Sequence, residues 1–289
     1  MTRLTSSCVA VAVLVGPAAA MMGQESPQDY PQWRGRNRDG TASAFSKPES
    51  WPDHLRLRWK VDVGEGYATP IVAGRTVYAF TRRDGRFRYA SPIIVDLHGT
   101  RQVIAVAQQS ILGIALADGA VLWERPWKSP DVRAITPVLY RETIIVSGHQ
   151  RGVIALRPVR RDDAWGVEVA WETQDVSMYV SNPVVIGDTL FGLSPRNSGQ
   201  YFAIDASTGR VLWLDRPRRA TNTALVTADD LLFLLNDDAE LIVARSSRTG
   251  FEPLRRYSVA DSATWAQPAI SGKRIFIKDV SSLALWSLD

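Results

Sequence analysis

Residues 201–213 read Tyr-Phe-Ala-Ile-Asp-Ala-Ser-Thr-Gly-Arg-Val-Leu-Trp. Apolar residues run up to Asp205, Ala206-Ser207-Thr208-Gly209 supplies the residue types that favour a tight turn, and a second apolar run ends on Trp213. Two such runs across a Gly-bearing turn form a β-hairpin. The fold depends on whether this hairpin stands alone.

It does not. A motif of small polar residue, Pro and aliphatics recurs as Thr69-Pro70-Ile71-Val72, Ser91-Pro92-Ile93-Ile94, Thr136-Pro137-Val138-Leu139, Asn182-Pro183-Val184-Val185, Thr223-Ala224-Leu225-Val226 and Gln267-Pro268-Ala269-Ile270. Each is followed by a turn and a second apolar run, so each opens a hairpin. With anchors at 70, 92, 137, 183, 224 and 268, every step but the first is about one repeat long, and the first is half of that. Four short antiparallel strands per repeat make a propeller blade.

An aromatic residue marks the fourth strand at Trp123, Trp171, Trp213 and Tyr257, each at a similar distance before the next anchor, as Trp59 stands before Pro70. The segment 56–61 is therefore a fourth strand with no first three before it, while the unit from Pro268 runs to Asp289 without a fourth. Pairing the two protects hydrophobic edges that would otherwise lie open. The expected fold is all-β: a β-propeller of about five complete four-stranded antiparallel blades plus a half-blade, with strand 56–61 pairing with the last blade. In TRRDGRFRYASPIIVDL (Thr81 to Leu97) the chain turns from a second strand straight into the next first strand. Either the half-blade adds to a neighbouring sheet or a half-repeat has been lost, and the spacing favours loss.

At the amino terminus Arg3 precedes the apolar run Cys8 to Val15, followed by Gly16, Pro17 and Ala18-Ala19-Ala20. That order of basic, apolar and small residues is a secretory signal. The expected division is 1–20 signal peptide, 21–55 extended leader and 56–289 propeller, in a Sec-exported bacterial protein of the periplasm or the extracellular space. Cys8 is the single cysteine, so a cleaved chain has no disulfide or thiolate chemistry. The net charge of +4 is small and the basic residues are scattered among turns, which argues against nucleic acid as a partner.

The unit Ala203-Ile204-Asp205-Ala206-Ser207-Thr208-Gly209-Arg210-Val211-Leu212-Trp213 resembles the A-x-D-x-x-T-G-x-x-x-W signature of the pyrroloquinoline-quinone-like (PQQ-like) β-propeller repeat, within the quinoprotein alcohol dehydrogenase-like superfamily. An eroded copy occupies Ala115 to Trp123, and the leader Tyr30 to Gly40 is similar to the opening of secreted bacterial members. The resemblance covers roughly residues 30–289 and implies that Trp59, Trp123, Trp171 and Trp213 dock neighbouring blades. It also implies two functions. Some members bind the quinone and calcium and oxidise alcohols or sugars; others are scaffolds, such as the propeller lipoprotein that serves outer-membrane β-barrel assembly. The vicinal Cys-Cys pair of the quinone-binding alcohol dehydrogenases is missing here.

No catalytic set is found. His54, His98 and His149 lie in separate segments without metal-ligand spacing. Asn236-Asp237-Asp238 offers oxygens to calcium, but is equally good turn chemistry. Turns into first strands and out of second strands share one face of a propeller, where ligands and partners gather. That face collects Tyr67, Tyr89, Arg133, His149, Tyr179, Asn182, Arg196, Asn197, Asn222, Asn236, Asp237, Trp265, Gln267 and Lys278. Aromatic, Arg and Asn side chains together suit protein recognition. The expected function is a non-catalytic protein-binding or envelope scaffold without cofactor, its partner another envelope or secreted protein. The alternative is a quinoprotein-type oxidoreductase holding PQQ and calcium on the same face.

Overall fold

The computed structural model describes residues 11–13, 30, 34–35, 40–42, 44–63, 70–73, 76–79, 93–106, 110–115, 118–127, 135–162, 164–217 and 219–289. In chain order the strands begin with β1 (Val11–Val13), β2 (Arg56–Asp62), β3 (Ile71–Ala73) and β4 (Thr76–Ala79). Blade one is β5 (Ile93–Leu97), β6 (Thr100–Val106), β7 (Ser110–Ala115) and β8 (Val121–Pro126); blade two is β9 (Val138–Tyr140), β10 (Thr143–Ser147), β11 (Val153–Arg161) and β12 (Ala164–Thr173). Blade three is β13 (Val184–Ile186), β14 (Thr189–Ser194), β15 (Gln200–Asp205) and β16 (Val211–Leu214); blade four is β17 (Thr223–Ala228), β18 (Leu231–Asn236), β19 (Glu240–Arg245) and β20 (Glu252–Ser258). Then come β21 (Ala269–Ser271), β22 (Arg274–Lys278) and β23 (Ser282–Ser287).

The last three strands take β2 as their fourth, in the order β2-β23-β22-β21. Trp59 pairs with Leu285 and Val61 with Leu283, so the amino-terminal strand completes the final sheet as the spacing predicts. With it the propeller has five four-stranded antiparallel sheets. The half-blade β3-β4 gains a third strand from β1, in the order β1-β4-β3. Most of the TRRDGRFRYASPIIVDL stretch, residues 81–92, lies outside the described residues; Ile93 to Leu97 form β5.

All five complete sheets carry a register shift at the same place between their third and fourth strands. The extra residue immediately precedes the signature position, as Leu122 precedes Trp123, Ala170 precedes Trp171, Leu212 precedes Trp213 and Arg58 precedes Trp59. A bulge bends and twists the outer strand, which turns the tryptophan toward the next blade. In blade four the shift falls at Leu254. The equivalent of the tryptophans is therefore Arg255, and Tyr257, the residue that sequence spacing selects, lies two positions beyond it.

First strands line the axis: β13 touches both β9 and β17, and β21 touches β3. Core clusters fill the space between neighbouring sheets, for example Tyr201 and Leu193 of blade three against Leu234 and Ile242 of blade four. Described residues of the leader meet this inner wall at several points. Tyr30 exchanges both backbone hydrogen bonds with Val72, Thr41 bridges to Thr227, and Phe45 bridges to Gly272. Arg34, 1% exposed, donates from Nη2 to the carbonyl of Pro183. Gly40 (φ +85°) lies so close to Val184 that a Cβ would come within 2.7 Å of its Cγ1, which explains a glycine at that bend.

Candidate functional site

Successive strands reverse direction, so the loops into first strands and the turns after second strands share one face. Of the residues the sequence assigns there, Tyr67, Tyr89 and Arg133 lie outside the described residues. Several of the others bridge consecutive blades. The Oδ1 of Asn182, before blade three, accepts from the Thr136 amide before blade two at 2.6 Å. Ser181 donates its hydroxyl to the Oδ1 of Asn222 at 2.8 Å and accepts from the Thr223 amide. Gln267, before the closing blade, donates from Nε2 to the Leu225 carbonyl at 2.8 Å. These bonds form a series of rungs around the axis, each reaching one blade back.

Asn236 and Asp237 take part in the same construction. The Asn236 Oδ1 accepts the hydroxyls of Tyr201 at 2.6 Å and Thr223 at 2.7 Å. Burial pushes the Tyr201 phenol up to about 12, despite its hydrogen bonds with Thr223 and Asn236. The Asp237 Oδ1 accepts the amides of Thr221 and Asn222, and the Asp238 Oδ1 that of Glu240. These oxygens close turns and join blades. Among the described residues no three His, Cys, Asp or Glu side chains converge at metal-binding distance.

Lys278 is buried and donates to the carbonyls of Asp279 and Val280. The outward groups of this face are Trp265, 41% exposed, the pair His149 and Tyr179 with rings tilted 45° and centroids 4.7 Å apart, and the turn holding Arg196 and Asn197. Arg196 donates to the Asp175 carbonyl at 2.7 Å. Asn197 and Ser198 both adopt positive φ, 53° and 61°, a conformation costly for non-glycine residues that clusters at functional surfaces.

The signature tryptophans fall into two groups. Trp171 donates its indole N–H to the Ala206 carbonyl of blade three at 2.8 Å, and Trp213 to the Ser247 carbonyl of blade four at 2.9 Å. Both acceptors lie in the turn between third and fourth strands. Tyr257 follows the same logic with its hydroxyl, donating to the Pro52 carbonyl just ahead of β2. Trp123 instead donates to Gln102 of its own blade at 2.9 Å. The long hairpin β11–β12 carries the matching turn of blade two away and packs Trp165 and Val167 against blade one. Trp59 lies against Phe276 of its own blade, ring centroids 6.1 Å apart.

The opposite face carries a second set of bridges that sequence reasoning does not name. Arg248 donates to Asp205 Oδ2 at 2.6 Å and to Thr189 Oγ1, while Tyr140 and Arg141 both donate to Asp188 Oδ1. Blades two, three and four are thereby tied together. The hydroxyl of Ser207, above all, holds the Asp205 carboxyl well below the usual carboxylate range, helped by Arg248 and against the cost of burial. The Tyr140 hydroxyl does most to lower Asp188. Arg248 sits in Ser246-Ser247-Arg248-Thr249-Gly250, blade four's degraded copy of the Ala206 to Gly209 turn, and superposing the repeats would have singled it out.

No curated protein matches the chain. Among solved structures it is similar to BamB from Moraxella catarrhalis, at 13% identity and a TM-score of 0.43, with 86% of each chain covered. It is also similar to the computationally designed Ika8 protein, at 9% identity and a TM-score of 0.48, covering 86% of this chain and 99% of that one. The family model described as outer membrane protein assembly factor BamB matches residues 53–215, more than half of the sequence, and the chain belongs to that PQQ-like repeat family.

Proposed function

We propose that this protein is an exported, non-catalytic scaffold of the cell envelope that binds protein partners in outer-membrane protein assembly. Membership in a family described by that role carries the reading. The site chemistry supports it: polar residues that a ligand-binding funnel would aim at the axis are used in blade-to-blade bonds. What faces outward is a part-exposed tryptophan, an aromatic pair and a strained Arg-Asn turn, groups that suit protein contacts. The basic, apolar and small-residue order of the amino terminus supports a periplasmic or extracellular location for this role, and the role calls for no cofactor.

The test is deletion in the cell of origin combined with in vivo crosslinking from Trp265. Loss of the protein is expected to lower the amount of folded β-barrel protein in the outer membrane, and the crosslinks to join it to the assembly machinery. Saturable binding of quinone with Ca²⁺, accompanied by alcohol- or sugar-dependent dye reduction, would overturn the scaffold reading in favour of an oxidoreductase.

A further inference from the structure

Each complete blade presents its fourth strand outward, and Trp171 and Trp213 show what that strand expects of its neighbour: a turn that closes the outer half of the next sheet. Trp59 occupies the same position in the closing blade. The unit beside it is the half-blade, since β21 touches β3. Among the described residues, that unit has no third-to-fourth-strand turn to receive Trp59.

The backbone pattern shows which groups β4 offers outward. Val72 exchanges both of its hydrogen bonds with Tyr30, so it faces away from β4. Bonded and non-bonded pairs alternate in an antiparallel ladder, and Tyr78 and Thr76 therefore bond to Ile71 and Ala73. Val77 and Ala79 are left pointing away from β3. They pair with Val13 and Val11 of β1. The edge thus accepts an antiparallel strand of small and β-branched apolar residues, drawn here from the run that the export reading removes by cleavage near Ala20.

We propose that the outer edge of the half-blade, Val77 and Ala79 of β4, is a strand-acceptor site, held by Val11–Val13 in the uncleaved chain and filled by an extended apolar strand of a partner protein once that run is gone. The mode is strand addition: main-chain bonds supply affinity, and alternate side chains select the partner. The occupant is a strand because a strand is seated there, and it is apolar because the seated one reads Val-Ala-Val. This rests on the protein-binding reading above and names where and how one partner binds.

The experiment uses the full chain with a dye-labelled probe peptide carrying Val-Ala-Val between lysine pairs. Val13→Pro removes a ladder donor from β1 and frees the edge; Ala79→Pro, added to it, removes an outward donor from β4. The Val13→Pro chain is expected to bind the peptide saturably. The parent should bind about tenfold more weakly or worse, because a tethered strand competes at millimolar effective concentration. The double variant should lose binding. Hydrogen exchange supplies a second readout: the Val77 and Ala79 amides are protected in the parent, exposed in Val13→Pro and protected again by peptide. Equal exchange in parent and Val13→Pro, or equal peptide binding by single and double variants, overturns the proposal. If crosslinking to the assembly machinery persists through both outcomes, the scaffold reading stands and only this edge is excluded.

Discussion

The ring of Trp171 lies directly over the α-carbon of Gly209 in the next blade: a Cβ there would come within 2.5 Å of the indole Cε3. Gly209 also adopts a positive φ of 77°. The repeat's Thr-Gly step is thus the seat of the preceding blade's tryptophan, in addition to being the turn that leads to Trp213. Asp205 shapes the same turn by accepting the amides of Ser207 and Thr208.

Gly209→Ala therefore combines two costs. A left-handed backbone costs a side-chain-bearing residue about 1–2 kcal/mol, and crowding a packed ring costs about 1–3 kcal/mol more. Gly187→Ala carries only the first, because Gly187 has φ +56° and nothing within 4 Å of the added atom. Urea unfolding of the two variants is expected to show the larger loss at Gly209. Equal losses would mean that Trp171 moves aside at no cost.

Asn182, Asn222 and Gln267 yield a second prediction. Removing the acceptor of Asn182 strands the Thr136 amide, and an unsatisfied buried group costs about 1–3 kcal/mol. Asn182→Ala should lower stability by that amount, Asn182→Asp by less because an acceptor remains, and the exposed Arg196→Ala by no more than about 0.5 kcal/mol. The check is a denaturant series on all three. A destabilisation confined to Arg196→Ala would return the Asn positions to the contact surface.

These cases mark what the sequence reveals. Pro anchors and tryptophans recur along one dimension, so blade number and the pairing of β2 with β23 follow from counting. The polar rungs were ambiguous because Asn and Gln at the mouths of loops serve partners and neighbouring blades equally well. A clue was nevertheless present: Asn182 and Thr136 are 46 residues apart, Ser181 and Asn222 41, Gln267 and Leu225 42. Each is one repeat. Tyr257 aligns with the tryptophans in sequence because the signature position of blade four holds Arg255, so that spacing settles on the nearest aromatic residue, two positions on. The third strand of the half-blade came from residues read as a signal, which spacing among the anchors cannot reach.

The bridge through Arg248 gives the molecule an acid limit. Asp205 and Asp188 are both held below their ordinary value of 3.8 in the folded protein, so the unfolded chain binds more protons in acid. Their contribution is complete above the unfolded pKa and is lost as pH falls below about 5 toward the folded values. Urea midpoints measured at descending pH should fall in the parent, with a shallower slope in Asp205→Asn. Parallel slopes would place the acid limit in other carboxylates.

The closing seam supports the last prediction. Leu283 stands between two partners, opposite Lys278 of β22 and Val61 of β2, and is 2% exposed. Its side chain packs with Val72 of the half-blade and Phe276 in one cluster. Leu283→Ala should cost about 2–5 kcal/mol, as large-to-small core changes do. Leu241→Ala, in the core between blade four and the closing blade, falls in the same range. The two should differ in where the loss is felt. The seam joins β2 to the final sheet through a single ladder, so weakening it should let the β2 amides exchange before the molecule unfolds as a whole. Leu241→Ala should instead leave β2 and β23 to exchange with the rest of the propeller. Hydrogen exchange resolved by strand separates these outcomes: early exposure of β2 in Leu283→Ala alone identifies the seam as the ring's weakest joint, and simultaneous exposure of all blades in both variants denies it that role.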